Sequence, residues 1–541
     1  MNQSILLNTD AYKVSMNLMY PPKCSSVYSY IESRGGKYKE TVFFGIQTFI
    51  DEYLLKPITM QDIDEAEIIW NSNGQIFDRG NWEHILHKHN GYLPLEIKSV
   101  AEGSVVPTNN VLVTIENTDP NCFWLTTWIE SSLLRAIWYP TTVASQGYHI
   151  KKNIKEDLDK SGDSPIEYKL HDFSLRGVSS NESATIGGMA HLVNFSGTDT
   201  ISGIIGVKRY YDTILKDSSV IASEHSVICS WGKENESGAY KNMLSQFQDR
   251  IISIVSDSYD IYNACRNIYG KELKEDIINL KCPLVIRPDS GDPLKVICGD
   301  NITIVPDDVH ELLVNDWIKW ELRNNFEIYE YEHGKHGPEK YSEIFKVGNR
   351  YVKGTVELGW NRYDKKYYYV DEYDLLPLED VIVTDVQKGT VQILDEEFDS
   401  TINSKGYKVL NHVRILQGDG IDAEVIEQIL KRLVEMGYSA DNILFGMGGQ
   451  NLQKVDRDTL KFAMKCSAVC IDDEWIGVQK DSITDSGKRS KIGRVTLYKD
   501  KNGYYSGVED WMKSELHVVY KDGKSYNRIT FDEVRKNTGL W

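Results

Sequence analysis

CPLVIRPDSGDP, residues 282–293, is a short apolar run that breaks into an arginine, two prolines and a Ser-Gly turn flanked by aspartates. An uninterrupted apolar run ending in a polar glycine cluster reads as a strand buried on both faces, with a ligand loop at its carboxyl end. The same punctuation recurs in YKLHDFSLRG (168–177), HLVNFSGTDT (191–200), VICSWG (227–232), IISIVSDSYD (251–260), RILQGDG (414–420), NILFGMGG (442–449) and FAMKCSAVCI (462–471). Helical text lies between, as in GIDAEVIEQILKRLVEMGY (420–438), whose apolar residues follow a 3.6-residue period and end at a glycine. Alternating strands and helices predict an α/β fold with parallel strands over 165–295 and 410–475. Pattern alone leaves a barrel and an open sheet equally open.

Outside these blocks the text changes. Residues 8–160 mix helix and strand, and the alternation in VYSYIESR (27–34) predicts a strand leading into Arg34 and a Gly35-Gly36 turn. CFWLTTWIESSLLRAIWYP (122–140) reads as a buried helix that stops near Pro140. Residues 296–400 look inserted: 301–400 carry a net charge of −11, and aromatics crowd into WIKWELRNNFEIYEYEH (317–333) and TVELGWNRYDKKYYYV (355–370). The second run alternates like a hairpin turning at Asn361 to Lys365, which predicts an accessory, mainly antiparallel module with an acidic surface and a structural or oligomer-edge role. The expected organisation is a mixed α/β domain at 1–165, a first part of an α/β barrel at 166–295, the insert at 296–400, a second barrel part at 401–492, and strands plus a helix at 493–541 completing the first domain.

The chain has 541 residues, enough for roughly two to four domains. Its 61 Lys and Arg face 80 Asp and Glu, a net charge of −19 that gives no electrostatic basis for binding nucleic acid or an anionic membrane, while leaving room for a local basic pocket. No apolar run spans a bilayer and no secretory pattern opens the chain, so a cytoplasmic protein is expected. Its eight cysteines form no CxxC and no disulfide framework, and Cys466 and Cys470 are read as packing residues.

Several strand ends carry residues able to do chemistry. In RPDSGDP, Arg287 offers a planar fork of donors, and Asp289 and Asp292 suit ribose hydroxyls or a divalent cation; an Asx turn paired with Arg287 would use the same residues. QGDG (417–420) and FGMGG (445–449) expose backbone N–H groups of the kind that bind phosphate, though neither matches a dinucleotide fingerprint or a P-loop. Phe173 and Arg176 in HDFSLRG pair an aromatic platform with a cation, Asp199 can accept from an amide, and His225 follows a carboxylate in SEHS. Lys480, Lys488, Lys491 and Arg494 are cations suited to polyphosphate or to a solvated loop.

Together NTDAYKVS (8–15), YPPKCSSVYSYIESR (20–34), HDFSLRGVSS (171–180), HLVNFSGTDT, SEHSVICSWGK (223–233), SDSYDIYNAC (256–265), IRPDSGDP (286–293), QGDG, FGMGGQNLQKVDRD (445–458), FAMKCS (462–467) and GKRSKIGR (487–494) resemble the nicotinamide phosphoribosyltransferase family. The resemblance covers about 8–295 and 400–535. It implies a homodimer of type II phosphoribosyltransferase fold, an irregular α/β barrel with an additional mixed α/β domain and sites at the subunit interface. It further implies transfer of phosphoribosyl from phosphoribosyl pyrophosphate to nicotinamide, with Mg2+ and with ATP as a coupled substrate. By that resemblance Phe173 and the second subunit's Tyr12 would sandwich nicotinamide, Asp199 would receive its amide, and Asp10 would lie on the same cross-subunit edge. Arg176 and Arg287 would hold the base and phosphate region; Asp289, Gly418 and Asp419 the ribose; and Gly448 and Gly449 a phosphate. Arg34, Arg457, Lys465, Lys480 and Lys488 would surround pyrophosphate and nucleotide phosphates, and His225 would be transiently phosphorylated. The resemblance does not say which residues touch Mg2+.

The chain departs from the family pattern at Ala463, where a serine commonly precedes the phosphate-binding lysine by two residues, and in the length of 296–400. Two other readings stay open: a nicotinate phosphoribosyltransferase of the same fold, which Asp199 disfavours because it would repel a substrate carboxylate, and a non-catalytic ligand-binding scaffold.

Overall fold

The computed structural model describes residues 4–216, 219–306, 308–333, 340–348, 350–361, 366–369, 376–480, 490–510 and 512–541. The chain forms two compact units, one of Met1–Val220, Ile421–Ile426 and Leu444–Trp541, the other of Ile221–Gly420 and Glu427–Ile443.

The first unit is built on an antiparallel sheet of seven strands, in the order Glu474–Gly477, Phe462–Ile471, Cys24–Ser33, Val111–Asn117, Leu95–Ser99, His517–Lys521 and Lys524–Ser525. VYSYIESR is a strand as its alternation predicts. FAMKCSAVCI differs from the parallel-strand reading: it lies antiparallel beside Cys24–Ser33, with Lys465 opposite Tyr30 and Ala463 opposite Glu32. The same unit holds a short parallel pair, Leu170–Asp172 beside Ile443–Met447 at Leu170 to Phe445 and Asp172 to Met447.

Pro140 does not stop its helix, which runs from Glu130 to Ser161. A proline lacks the N–H that would bond the carbonyl four residues back. Here the segment before Gly45 docks at that gap. Thr141 Oγ1 donates to the Phe44 carbonyl at 3.1 Å and accepts from its N–H at 3.2 Å, and a β-carbon on Gly45 would lie 2.5 Å from both the Ala136 carbonyl oxygen and the Pro140 ring. Gly45, at φ +112°, is the residue type that fits this approach.

The second unit holds four parallel strands in the order Val413–Gln417, Leu284–Arg287, Ile252–Val255 and Ile221–Ala222. RPDSGDP thus begins at a strand's carboxyl end, and Leu284, Val285 and Ile286 are buried, as the unbroken apolar run requires.

The inserted module belongs to this unit. Ile302–Ile304 lies parallel to Lys340–Val347, which is antiparallel to Arg350–Asn361, and the latter pairs antiparallel with Lys366–Tyr369 and Glu379–Asp380. The turn expected at Asn361 to Lys365 falls mostly on residues outside those described, but Asn361 pairs with Lys366 across it. The aromatic run at 317–333 lies in the helix Val314–His333, and Ile318 and Leu322 from it join Val305, Phe345, Val352 and Val356 in a core local to the module. Asp385, Glu396 and Glu397 of the helix Asp385–Phe398 all pair with Arg266, at 2.7, 2.6 and 2.8 Å, which ties that helix to the α/β part of the unit. No helix among the described residues is long and apolar enough to cross a membrane.

Candidate active site

In the first unit, Phe173 and Asp199 are held by one residue. Phe173 follows Asp172 at the end of Leu170–Asp172, and the Asp199 N–H donates to the Asp172 carbonyl at 2.9 Å. The half-buried Phe173 ring rests on Gly446, where a β-carbon would fall 2.0 Å from ring atom Cε2. Asp199 is exposed at the start of the helix Ile201–Tyr211, and Ser219 Oγ donates to its carboxylate. Beneath them Asp172 is fully buried, its Oδ1 accepting from the Ser174 N–H and from Asn451 Nδ2, both at 3.1 Å. His191 Nδ1 lies 3.1 Å from the same Asn451 amide nitrogen, and its Nε2 lies 2.9 Å from the Gly197 carbonyl oxygen. That carbonyl can only accept, so Nε2 carries the proton and Nδ1 accepts from Asn451. Burial pushes the His191 imidazole below its ordinary pKa, and that of His171 down to about 4 against the pull of Asp199.

The loop after Phe173 packs on the FGMGG turn. Ser174 Oγ donates to the Gly448 carbonyl at 2.7 Å, and a β-carbon on Gly177 would stand 3.1 Å from the Gly449 α-carbon. Gly448 and Gly449 therefore sit against the segment that carries Phe173 and the exposed Arg176.

Among the described residues, Arg34, Arg457 and Lys480 of the proposed phosphate cations lie near enough to Lys465 to act on its charge. Lys465 is half-buried, and its ammonium is held below the usual lysine range, first by burial and then by the positive charges of Arg34, Arg457 and Lys480, against the opposing pull of Glu130. Arg34 donates from Nε to Glu32 at 3.0 Å, while its buried Nη2 has no hydrogen-bond partner among the described residues. Lys488 lies outside the described residues. Lys491 and Arg494, weighed with these cations in the sequence, are tied to carboxylates instead, Lys491 to Glu32 and Arg494 to Glu116 and Glu509. Asp10 immediately precedes the short turn Ala11–Lys13 and accepts from Ser131 Oγ, and Tyr12 beside it is 60% exposed.

In the second unit four strand ends supply the groups. Asp257, two residues beyond Ile252–Val255, is buried and uses both oxygens: Oδ1 lies 3.0 Å from His225 Nε2, and Oδ2 accepts from the Asp289 N–H at 3.1 Å and from Ser290 Oγ at 2.5 Å. Arg287 grips Asp289 Oδ1 through Nε and Nη2 at 2.9 and 2.6 Å. Its guanidinium lies on Gly418, where a β-carbon would fall 2.9 Å from Nη2. The exposed Asp419 follows, its carbonyl accepting from Gln417 Nε2 at 2.9 Å. His225, Asp257, Asp289, Arg287, Gly418 and Asp419 thus all stand at the carboxyl ends of parallel strands, where ligands bind in α/β folds. Asp292 caps the helix Pro293–Cys298, accepting from the Lys295 N–H at 3.2 Å.

The sequence profile of the nicotinate phosphoribosyltransferase (NAPRTase) family matches residues 168–319 and 371–524, and that of the nicotinamide phosphoribosyltransferase N-terminal domain matches 4–97. A protein of Xanthomonas campestris described as nicotinamide phosphoribosyltransferase is 40% identical over 98% of this chain and 97% of its own length. The chain belongs to the nicotinamide phosphoribosyltransferase family. Proteins of the same description from Mycoplasma genitalium, 32% identical over 92% of this chain and 95% of theirs, and from Acinetobacter baylyi, 29% identical over 97% and 95%, are similar along nearly the whole chain as well. The structure of nicotinate-nucleotide pyrophosphorylase from Pyrococcus furiosus, at 14% identity, superposes with a TM-score of 0.52 over 99% of this chain and 94% of that one. The fold is accordingly that of the type II phosphoribosyltransferases, α/β with parallel strands and added antiparallel sheets.

The NAPRTase profile skips 320–370, inside the inserted module. Sequence reasoning missed Asp257, which sits in SDSYD without a telling neighbour, and Gly446, whose only signal was a glycine inside a strand. It also missed Asp172 and Asn451, whose roles depend on each other across the fold.

Proposed function

We propose that this enzyme transfers the 5-phosphoribosyl group of phosphoribosyl pyrophosphate to nicotinamide. The pyridine nitrogen attacks the anomeric carbon, the bond from that carbon to the pyrophosphate oxygen breaks, and pyrophosphate leaves with the electron pair. The products are nicotinamide mononucleotide and pyrophosphate, and no proton is abstracted from the base. The observation that carries this reading is the common anchoring of Phe173 and Asp199 on Asp172, which pairs a stacking face with a carboxylate acceptor. A carboxylate there accepts from the carboxamide NH2 and repels the carboxylate of nicotinate.

Arg176 and Arg287 hold the base and phosphate region in this reading, and Asp289, Gly418 and Asp419 the ribose. Gly448 and Gly449 take a phosphate through backbone N–H groups. Arg34, Arg457, Lys465, Lys480 and Lys488 offset the charge that grows on the leaving pyrophosphate. Asp289 and Asp257 provide hard oxygen donors of the type Mg2+ takes, and bound there the ion would supply further charge neutralisation on pyrophosphate. Asp10 and Tyr12 complete the base site of a second subunit in a homodimer, which the exposure of Tyr12 supports. ATP phosphorylates His225: with Nε2–H held by Asp257, Nδ1 is the nucleophile, and ADP leaves. Eight free thiols suit a cytoplasmic enzyme.

The test is a product assay with nicotinamide or nicotinate, phosphoribosyl pyrophosphate and Mg2+, with and without ATP. Nicotinamide mononucleotide and pyrophosphate are expected, formed faster with ATP. Product from nicotinate alone would overturn the base assignment, and binding without pyrophosphate release would leave a non-catalytic protein.

A further inference from the structure

The helix Arg79–Lys88 ends beside the turn that follows the strand Val111–Asn117, and their junction gathers His84, His89, Asp119 and Cys122. One ligand atom from each, two imidazole nitrogens, a carboxylate oxygen and a sulfur, all lie within 4.8 Å of one another. None of these residues has a part in the transfer reaction proposed above.

The geometry resembles a prepared coordination shell more than a surface ion pair. Asp119 Oδ2 lies 2.8 Å from His84 Nε2 and 2.7 Å from His89 Nε2, so both imidazoles aim the same nitrogen at one point. The other carboxylate oxygen is held by the Asn121 N–H at 3.0 Å and the Asn121 side-chain amide at 3.2 Å, which fixes the plane of the carboxylate as an outer partner does for a ligand. The Asp119 side chain is 3% exposed and Cys122 is fully buried, its N–H bonded to the Asp119 carbonyl at 2.9 Å. Trp82 on the helix packs edge-on against Trp124 and Trp128 at 4.9 and 5.0 Å, so the two elements are already docked.

We propose that His84, His89, Asp119 and Cys122 bind one Zn2+ that clamps this helix to the turn. Two imidazoles, a thiolate and a carboxylate form a four-donor set suited to tetrahedral Zn2+ and ill suited to Mg2+ or Ca2+, which take oxygen ligands. With bonds of about 2.0–2.3 Å, donors around tetrahedral Zn2+ stand roughly 3.3–3.8 Å apart, so both imidazoles retreat from Asp119 by less than about 1 Å. Lys88 Nζ lies 3.0 Å from the same carboxylate oxygen, and its side chain, 55% exposed, swings into solvent when the metal enters. Cys122 gives up its proton on binding.

The test uses the full-length chain without an affinity tag, stripped with a chelator and titrated with Zn2+ or Co2+ in excess Mg2+. The expected result is one tightly bound equivalent per chain, a higher Tm with Zn2+, and a cobalt form showing tetrahedral d–d bands and a thiolate-to-cobalt charge-transfer band. Cys122→Ser should lose the charge-transfer band, and His84→Asn with His89→Asn should lose the equivalent. The double histidine variant alters partly exposed side chains, so it decides the matter by itself if Cys122→Ser fails to fold. Absence of a bound equivalent would leave a plain Asp119 ion-pair cluster and overturn the proposal, as would a stoichiometry and cobalt spectrum unchanged in the double variant.

Discussion

The Phe173 ring lies on the α-carbon of Gly446, so closely that a β-carbon at 446 would stand 2.0 Å from it. Gly446→Ala is therefore expected to tilt or expel the stacking face while leaving most of the fold intact, at a cost of about 1–3 kcal/mol in stability. The kcat/KM for nicotinamide should fall about tenfold or more, because a misplaced platform removes orientation of the attacking nitrogen. Steady-state kinetics beside a thermal melt checks this; unchanged kinetics would refute the stacking role.

Asp199→Asn keeps an acceptor oxygen and removes the negative charge. The ratio of kcat/KM values for nicotinamide and nicotinate should shrink by about tenfold, close to 1.4 kcal/mol. Competition between the two bases in one reaction measures it directly. An unchanged ratio would remove Asp199 from base selection.

His225 and Asp257 should act as a pair. Incubation with ATP is expected to give an acid-labile phosphohistidine, seen by intact-mass and phosphopeptide analysis, that is absent in His225→Ala. Asp257→Asn should slow its formation by at least about tenfold, since the carboxylate fixes the tautomer and offsets the charge on the phosphorylated ring. A label that persists in His225→Ala would place the chemistry elsewhere.

Lys465 is depressed by burial and by neighbouring cations, so as pH rises it loses its charge earlier than an ordinary lysine. The KM for phosphoribosyl pyrophosphate should accordingly climb at a pH below the usual lysine range, whereas Lys465→Arg should hold its affinity to higher pH. Lys465→Met should raise that KM by about tenfold or more and move the KM for nicotinamide less. Pyrophosphate-release kinetics across pH tests all three.

Arg266 holds the Asp385 carboxyl below the ordinary carboxylate range. A depressed folded-state pKa contributes stability that is present above the unfolded value of about 4 and fades as pH falls through the folded one. Asp385→Asn should thus destabilise the chain by about 1–2 kcal/mol at pH 7, discounted for partial exposure, with the difference shrinking under acid. Denaturant melts at several pH values check the sign.

What could be read in the sequence was what is written locally. HDFSLRG, RPDSGDP and QGDG announced strand ends because a short apolar run and a glycine or aspartate turn occupy consecutive positions, and in the structure these segments do end strands. Pro140 misled because the rule against proline in helices concerns the helix alone, whereas the docking of Phe44 and Gly45 is tertiary. FAMKCSAVCI has the apolar density of a parallel strand, and its antiparallel partner lies over 400 residues away in sequence. Asp257 was invisible for a similar reason: parallel pairing, not proximity in sequence, brings it between His225 and Ser290. Lys491 and Arg494 read as cations by composition, while Glu32 and Glu116 from distant strands, and Glu509 just past the neighbouring hairpin, spend their charge.

The Asp300 N–H donates to the Gln387 carbonyl at 2.9 Å, and Gly299 meets Gly389 backbone to backbone at the same spot. The acidic module therefore leaves and rejoins its unit at a single stem, with Gln392 beyond the stem donating to the Tyr351 hydroxyl at 2.6 Å, and Ile318, Leu322, Phe345, Val352 and Val356 pack in a core of the module's own. Such a segment is a graft: a two- or three-residue turn can span the stem in its place. An excised chain should keep the strand ends that carry His225, Asp257 and Asp289, and the module, carried on another stem, becomes a portable part whose acidic surface can be assayed without the chemistry beside it.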